Sequence, residues 1–201
     1  MINLTIDGIS VQVEDGTTIL QAAQAAGIEI PTLCYMKELT PDGSCRMCLV
    51  EVEGAKGLMT ACAAPATEGM IVHTDSPAVI ESRKFILKMM LSNHGGDCMS
   101  CAANGKCKLQ QYAMEYEVER GDFEGEMCQI PADDSSPFFI YDPSKCILCR
   151  RCVAACNNQA ISVIGANARG FDTHIGSAFE KDLADVACIS CGQCIVHCPT
   201  G

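Results

Sequence analysis

Two cysteine strings near the C-terminus constrain this chain more than any other feature. The first is Cys146-Ile147-Leu148-Cys149-Arg150-Arg151-Cys152-Val153-Ala154-Ala155-Cys156, and the second runs from Cys188 through Cys191 and Cys194 to Cys198-Pro199. Each spells C-x2-C-x2-C-x3-C. In such a run the first three thiolates hold one 4Fe-4S cubane and the fourth reaches across to a second. By that crossover rule Cys146, Cys149, Cys152 and Cys198 form one ligand set, and Cys156, Cys188, Cys191 and Cys194 form the other. Zinc sites favour well-separated C-x2-C pairs around a tetrahedral ion, which two such dense strings fit poorly.

The rest of the composition agrees with metal-bound thiolates. Sixteen cysteines in 201 residues, about eight per cent, mark either a disulfide scaffold or a metal protein. Disulfides need an oxidising compartment, and Met1-Ile2-Asn3-Leu4-Thr5-Ile6-Asp7 has neither the basic start nor the apolar run of a signal peptide. A cytoplasmic location is therefore expected. No stretch approaches the roughly 20 apolar residues of a membrane span, and Lys88 interrupts the best candidate, residues 85–91. The net charge of -11 argues against nucleic acid, whose phosphates it would repel, and bound clusters add further negative charge. Basic patches on protein partners are the natural docking surface.

The N-terminal third is patterned as a small sheet with one helix. Ile2, Leu4 and Ile6 alternate with polar residues, Asp7-Gly8 signals a hairpin turn, and Ile9, Val11 and Val13 alternate again. Thr17 or Thr18 can cap a helix carrying Ile19, Leu20, Ala23 and Ala26, which Gly27 stops. Pro31 forces an extended exit. Cys34, Cys45, Cys48 and Cys62 follow, with Leu49 to Glu53 reading as a strand. This order resembles the β-grasp fold of plant-type 2Fe-2S ferredoxins, although the spacing departs from the plant C-x4-C-x2-C pattern. It is more similar to the N-terminal 2Fe-2S domain of a family shared by three groups: the large iron-sulfur subunit of respiratory complex I, the small diaphorase subunit of NAD-reducing hydrogenases, and the accessory region of iron-only hydrogenases. That resemblance implies one 2Fe-2S cluster on Cys34, Cys45, Cys48 and Cys62.

In the middle segment Ser76-Pro77 opens a helix whose stripe is Val79, Ile80, Arg83, Ile86, Leu87, Met90 and Leu91. It ends at Asn93-His94-Gly95-Gly96. Cys98, Cys101 and Cys107 stand immediately beyond it. A cubane needs a fourth ligand, and His94, three residues before Cys98, can supply it, although a lone histidine at a helix end more often serves as a cap. The H-x3-C-x2-C-x5-C string matches the histidine-ligated 4Fe-4S site of the same families. Residues 106–119 read as a second helix with Leu109, Tyr112, Ala113 and Tyr116 inward, and the acidic stretch 122–134 as a surface linker. Cys128 belongs to no set and reads as a free thiol.

Short strands are expected at 137–141, 160–164 and 171–175 around the two strings, whose plan repeats from residue 146 to residue 188. The expected organisation is α+β. Residues 1–76 form a 2Fe-2S ferredoxin-like domain, 77–134 a small helical His/Cys3 segment with its linker, and 135–201 a bacterial-type ferredoxin-like module for two 4Fe-4S clusters. Three 4Fe-4S clusters and one 2Fe-2S cluster are expected in all. His73, His174 and His197 are read as ordinary residues.

No G-x-G-x-x-G follows a strand and no G-x4-G-K-[ST] occurs, so no dinucleotide or triphosphate site is evident. No catalytic site of the chain's own is visible either. The resemblance implies an electron relay in an NAD(P)-linked complex, between a flavoprotein that oxidises NAD(P)H and a terminal redox subunit such as a hydrogenase or formate dehydrogenase. The alternative is the accessory region of an iron-only hydrogenase or formate dehydrogenase whose catalytic domain lies beyond Gly201, where relatives are expected to continue.

Overall fold

The structure is a computed structural model that describes all residues except 38, 40, 122, 124 and 128. The expected linker therefore lies partly outside the described residues, and Cys128 lies outside them. The fold is α+β. Its residues form two compact units, 1–87 with 116–118, and 88–115 with 119–201.

The first unit is built on the expected hairpin. Strands β1 (Ile2–Ile6) and β2 (Ile9–Val13) pair antiparallel with Ile2 opposite Val13 and Ile6 opposite Ile9. Asp7 and Gly8 both adopt positive φ, at 48° and 81°, the left-handed pair that a tight hairpin turn requires. Helix α1 (Ile19–Ala25) begins at Thr18, whose hydroxyl accepts from the Gln21 amide while the Gln21 side chain accepts from the Thr18 amide. This capping box satisfies two helix-end donors at once. Three further strands complete the sheet, β3 (Leu49–Val52), β4 (Met59–Thr60) and β5 (Ile71–His73), in the order β2-β1-β5-β3-β4. Strand β5 runs parallel to β1 and antiparallel to β3. Ile6, Ile19, Leu20, Val50 and Val72 are completely buried in the core beneath the sheet.

Helix α2 (Pro77–Ser92) forms as the stripe predicts. Helix α3 spans Lys108–Glu115 and is shorter than expected. Glu117 has φ 53°, a left-handed conformation that ends the helix before residue 119. Tyr116 consequently lies beyond the helix.

In the second unit helices α4 (Arg151–Asn158) and α5 (Gln193–Val196) follow the first cysteines of the two strings. The expected strand at 137–141 is reduced to one bridge between Asp133 and Tyr141. The expected strands at 160–164 and 171–175 are displaced toward the C-terminus, to β6 (Ile164–Asn167) and β7 (His174–Ser177), which pair antiparallel. Ala160 and Ser162 have φ 58° and 54°, and residues Gly170–Asp172 form a 3-10 turn. Neither conformation can start a strand. Among the described residues no helix is long and apolar enough to cross a membrane.

Replacing Thr18 by Ala removes the acceptor of the capping box. Urea unfolding of the first unit is expected to show a loss of about 1 kcal/mol.

Candidate iron-sulfur sites

Cys34, Cys45, Cys48 and Cys62 are brought together in the first unit and are all buried. The Cys45 thiol donates to Cys34, holding it near 5, and Cys62 donates to Cys48, holding it near 7. The two donors are raised, first by those hydrogen bonds and then by burial. The Cys34 charge acts on Cys48 and Cys62, so the two pairs form one group. Amides of Ser44 and Cys45 point at the Cys34 sulfur, and those of Leu33 and Met47 at Cys45. The turn that permits this has Gly43 at φ 63° and Arg46 at φ 58°. Sulfur anions find in this loop the donors that burial would otherwise deny them.

One neighbour of this loop was not legible as such. Arg83 of α2, a member of the expected apolar stripe, is only 3% exposed. Its Nε donates to Met47 O at 3.1 Å, Nη2 to Leu49 O at 2.7 Å, and Nη1 to Tyr116 Oη at 3.0 Å. An Arg on an apolar helical stripe was the available signal.

In the second unit Cys98, Cys101 and Cys107 lie within one another's electrostatic reach, and burial is the main cause that raises Cys107. His94 is 6% exposed, and its Nδ1 is buried without a hydrogen-bond partner. Burial, with Arg120 and Lys145 nearby, lowers its pKa. A neutral imidazole with an unpaired ring nitrogen is the form that ligates metal, so His94 fits the fourth place in this set. Backbone contacts fix the surrounding segment. Gly95 N donates to Ser144 O at 2.6 Å, Lys108 N to Pro199 O at 2.9 Å, and Thr200 Oγ1 to Lys145 O at 3.0 Å. A Cβ on Gly95 would stand 2.7 Å from Ser144 Cβ, so this position has room only for glycine.

All eight cysteines of the two strings line a single cavity of about 520 Å³. Cys149 and Cys152 are each pushed up to about 12, by burial first and then by the negative charges of Cys146 and Cys198. Cys198 of the second string thus lies within electrostatic reach of the first string's thiols. Cys194 is raised by burial and then by Cys188 and Cys191. Cys156, on α4, is buried and lines the same cavity. The two strings also repeat in conformation. Leu148 and Ser190 (φ 55° and 53°) direct their amides to Cys146 and Cys188 at 3.3 and 3.4 Å, and Arg150 and Gly192 are left-handed at the starts of α4 and α5. Tyr141 is held between the strings by a 2.6 Å bond to Ile175 O. Its phenol is raised by burial first, then by Cys146, Cys152, Cys198 and Cys194.

Among the described residues no three His, Cys or carboxylate side chains converge as one metal ion demands. The eight thiols surround a volume. Of the remaining histidines, His73 pairs with Glu53 at 3.0 Å and His174 with Glu180 at 2.7 Å.

Comparison with known proteins matches this geometry along the chain. Residues 1–77 match the family described as a 2Fe-2S iron-sulfur cluster binding domain. Residues 83–121 match the NADH-ubiquinone oxidoreductase-G iron-sulfur binding region, and 145–201 the 4Fe-4S dicluster domain. The NADP-reducing hydrogenase subunit HndD of Solidesulfovibrio fructosivorans is 42% identical over 207 residues, and the mitochondrial NADH-ubiquinone oxidoreductase 78 kDa subunit of Candida albicans 36% over 203. A chain in the crystal structure of NAD+-reducing [NiFe]-hydrogenase in the H2-reduced state superposes with a TM-score of 0.87 at 32% identity, covering 92% of this chain and 79% of that one. The chain belongs to the iron-sulfur family that these proteins share. As a member of this family it carries 2Fe-2S and 4Fe-4S cluster-binding domains. All of it aligns with the two curated relatives, of whose length it spans 35% and 28%.

Gly95→Ala is expected to force Ser144 away and to cost about 1–3 kcal/mol of stability. Thermal melting checks this, with Gly165→Ala of the same unit as the comparison, because there an added Cβ meets nothing within 4 Å and the backbone is not left-handed.

Proposed function

We propose that this chain is the electron-relay part of a cytoplasmic NAD(P)-linked multi-subunit oxidoreductase. It passes single electrons between a flavoprotein that oxidises NAD(P)H and a second redox centre. What carries the reading is the presence of four cysteine and histidine sets in one chain: the first is buried, the two string sets line one cavity, and the third gathers three cysteines beside the buried His94. In this reading Cys34, Cys45, Cys48 and Cys62 hold one 2Fe-2S cluster. Three 4Fe-4S clusters sit on His94, Cys98, Cys101 and Cys107, on Cys146, Cys149, Cys152 and Cys198, and on Cys156, Cys188, Cys191 and Cys194. Residues 1–76, 77–134 and 135–201 are the corresponding domains.

Clusters supply reversible one-electron transfer when bound, and a protein supplies their position and surroundings. Here the chain's own residues hold the sulfurs and direct amides at them, and around Cys34, Cys45, Cys48 and Cys62 they also keep water out. The Gly95-Ser144 and Lys108-Pro199 bonds tie the His94 segment to the two-string module.

The alternative places the same relay within the accessory region of an iron-only hydrogenase or formate dehydrogenase. The likeness to an NADP-reducing hydrogenase subunit over the whole of this chain supports it. The partners differ between the two readings, whereas the cluster chemistry is common to both.

Anaerobically purified protein is expected to contain about fourteen irons per chain. Stoichiometric zinc without charge-transfer absorption would falsify the redox reading. His94→Ala should abolish or shift one 4Fe-4S electron paramagnetic resonance signal and spare the rest, and unchanged spectra would remove His94 from the ligands. Isolation of the native complex should recover a flavoprotein partner, whereas a monomer that never copurifies with one points to a free carrier.

A further inference from the structure

Arg83 presents an electrostatic imbalance. Its guanidinium cannot shed its proton, is nearly excluded from water, and among the described residues bonds only to neutral oxygens: Met47 O, Leu49 O and Tyr116 Oη. A buried cation without an anion is strongly unfavourable. The two carbonyls it grips belong to the residues on either side of Cys48, which is itself 1% exposed. Its charge is thus fixed at the backbone of one of the four clustered cysteines. Metal binding deprotonates such thiols, and four thiolates around a 2Fe-2S core leave a net negative centre.

We propose that Arg83 is the built-in counter-charge of the Cys34, Cys45, Cys48 and Cys62 site, a positioning residue that raises the potential of the 2Fe-2S cluster. This rests on the cluster reading above. Reduction adds one electron, and so one negative charge, to the cluster. A fixed cation at the ligand loop stabilises the reduced state more than the oxidised one. Because the group is buried, added salt screens it little.

The test uses the full chain with its clusters assembled anaerobically, and reads the 2Fe-2S potential by redox titration of its paramagnetic signal. Absence of that signal from the wild-type protein defeats the cluster reading itself. With the signal present, Arg83→Gln and Arg83→Met are expected to shift the potential to more negative values, whereas Arg83→Lys, which keeps the charge, and Tyr116→Phe, which removes only a neutral bond, stay close to wild type. If neither neutral variant assembles the 2Fe-2S cluster while the Lys variant does, the requirement for charge stands on assembly alone. The proposal is overturned if the neutral variants keep or raise the potential. It is equally overturned if Arg83→Lys behaves as the neutral variants do, because the fork geometry and not its charge is then what the site needs.

Discussion

Sulfur held away from water in its anionic form must be given hydrogen-bond donors, and in this chain the backbone gives them. A loop aims successive amides inward only where some residues leave the ordinary helical and extended regions. Gly43 and Arg46 do so in the first unit, and Leu148, Arg150, Ser190 and Gly192 in the second. Four of these six are not glycine. Each such residue costs on the order of 1 kcal/mol. The conformation is retained because the amide-to-sulfur bonds and the packing around them fix it.

The second unit adds tertiary bonds that make its loops one body. The His94 segment is seated against Ser144 and the start of the first cysteine string, and the chain after Cys198 returns to Lys108 and Lys145. Gly95 has no Cβ because Ser144 occupies that space. Tyr141 fills the region between the two strings, and its raised pKa keeps the phenol protonated, so that it donates to Ile175 O without adding charge to a region already crowded with thiols.

How much of this was legible depended on whether the signal was local. Cysteine spacing is local and periodic, and the structure brings the string cysteines together as the spacing implied. Hairpin and helix α1 were legible because Asp7-Gly8 and Thr18 act within four residues of themselves. Strand β5 was not, because Ile71–His73 is three residues long and exists only by pairing with β1 and β3. The strands around the strings were misplaced because Ala160 and Ser162 are left-handed, a state their side chains do not advertise. Arg83 was legible as a member of the helical stripe, but its role was not, because its acceptors, Met47 O and Leu49 O, are distant in sequence.

The sets differ in the charge beside them more than in their donors. Around the first unit's four thiols stands Arg83, bonded only to neutral oxygens. Around His94 stand Arg120 and Lys145, and there Lys145 is already paired with Asp142 at 3.3 Å. The causes that raise Cys149 and Cys152 are burial first and then the negative charge of neighbouring thiols, Cys146 and Cys198 in both cases, with Arg151 a minor opposing cation at Cys149. Potentials of iron-sulfur centres follow net charge, hydrogen bonds and exposure. A relay that uses nearly the same ligands four times can grade its steps through the surroundings. In the relay proposed for this chain, a few cations placed against an otherwise acidic background would supply that grading.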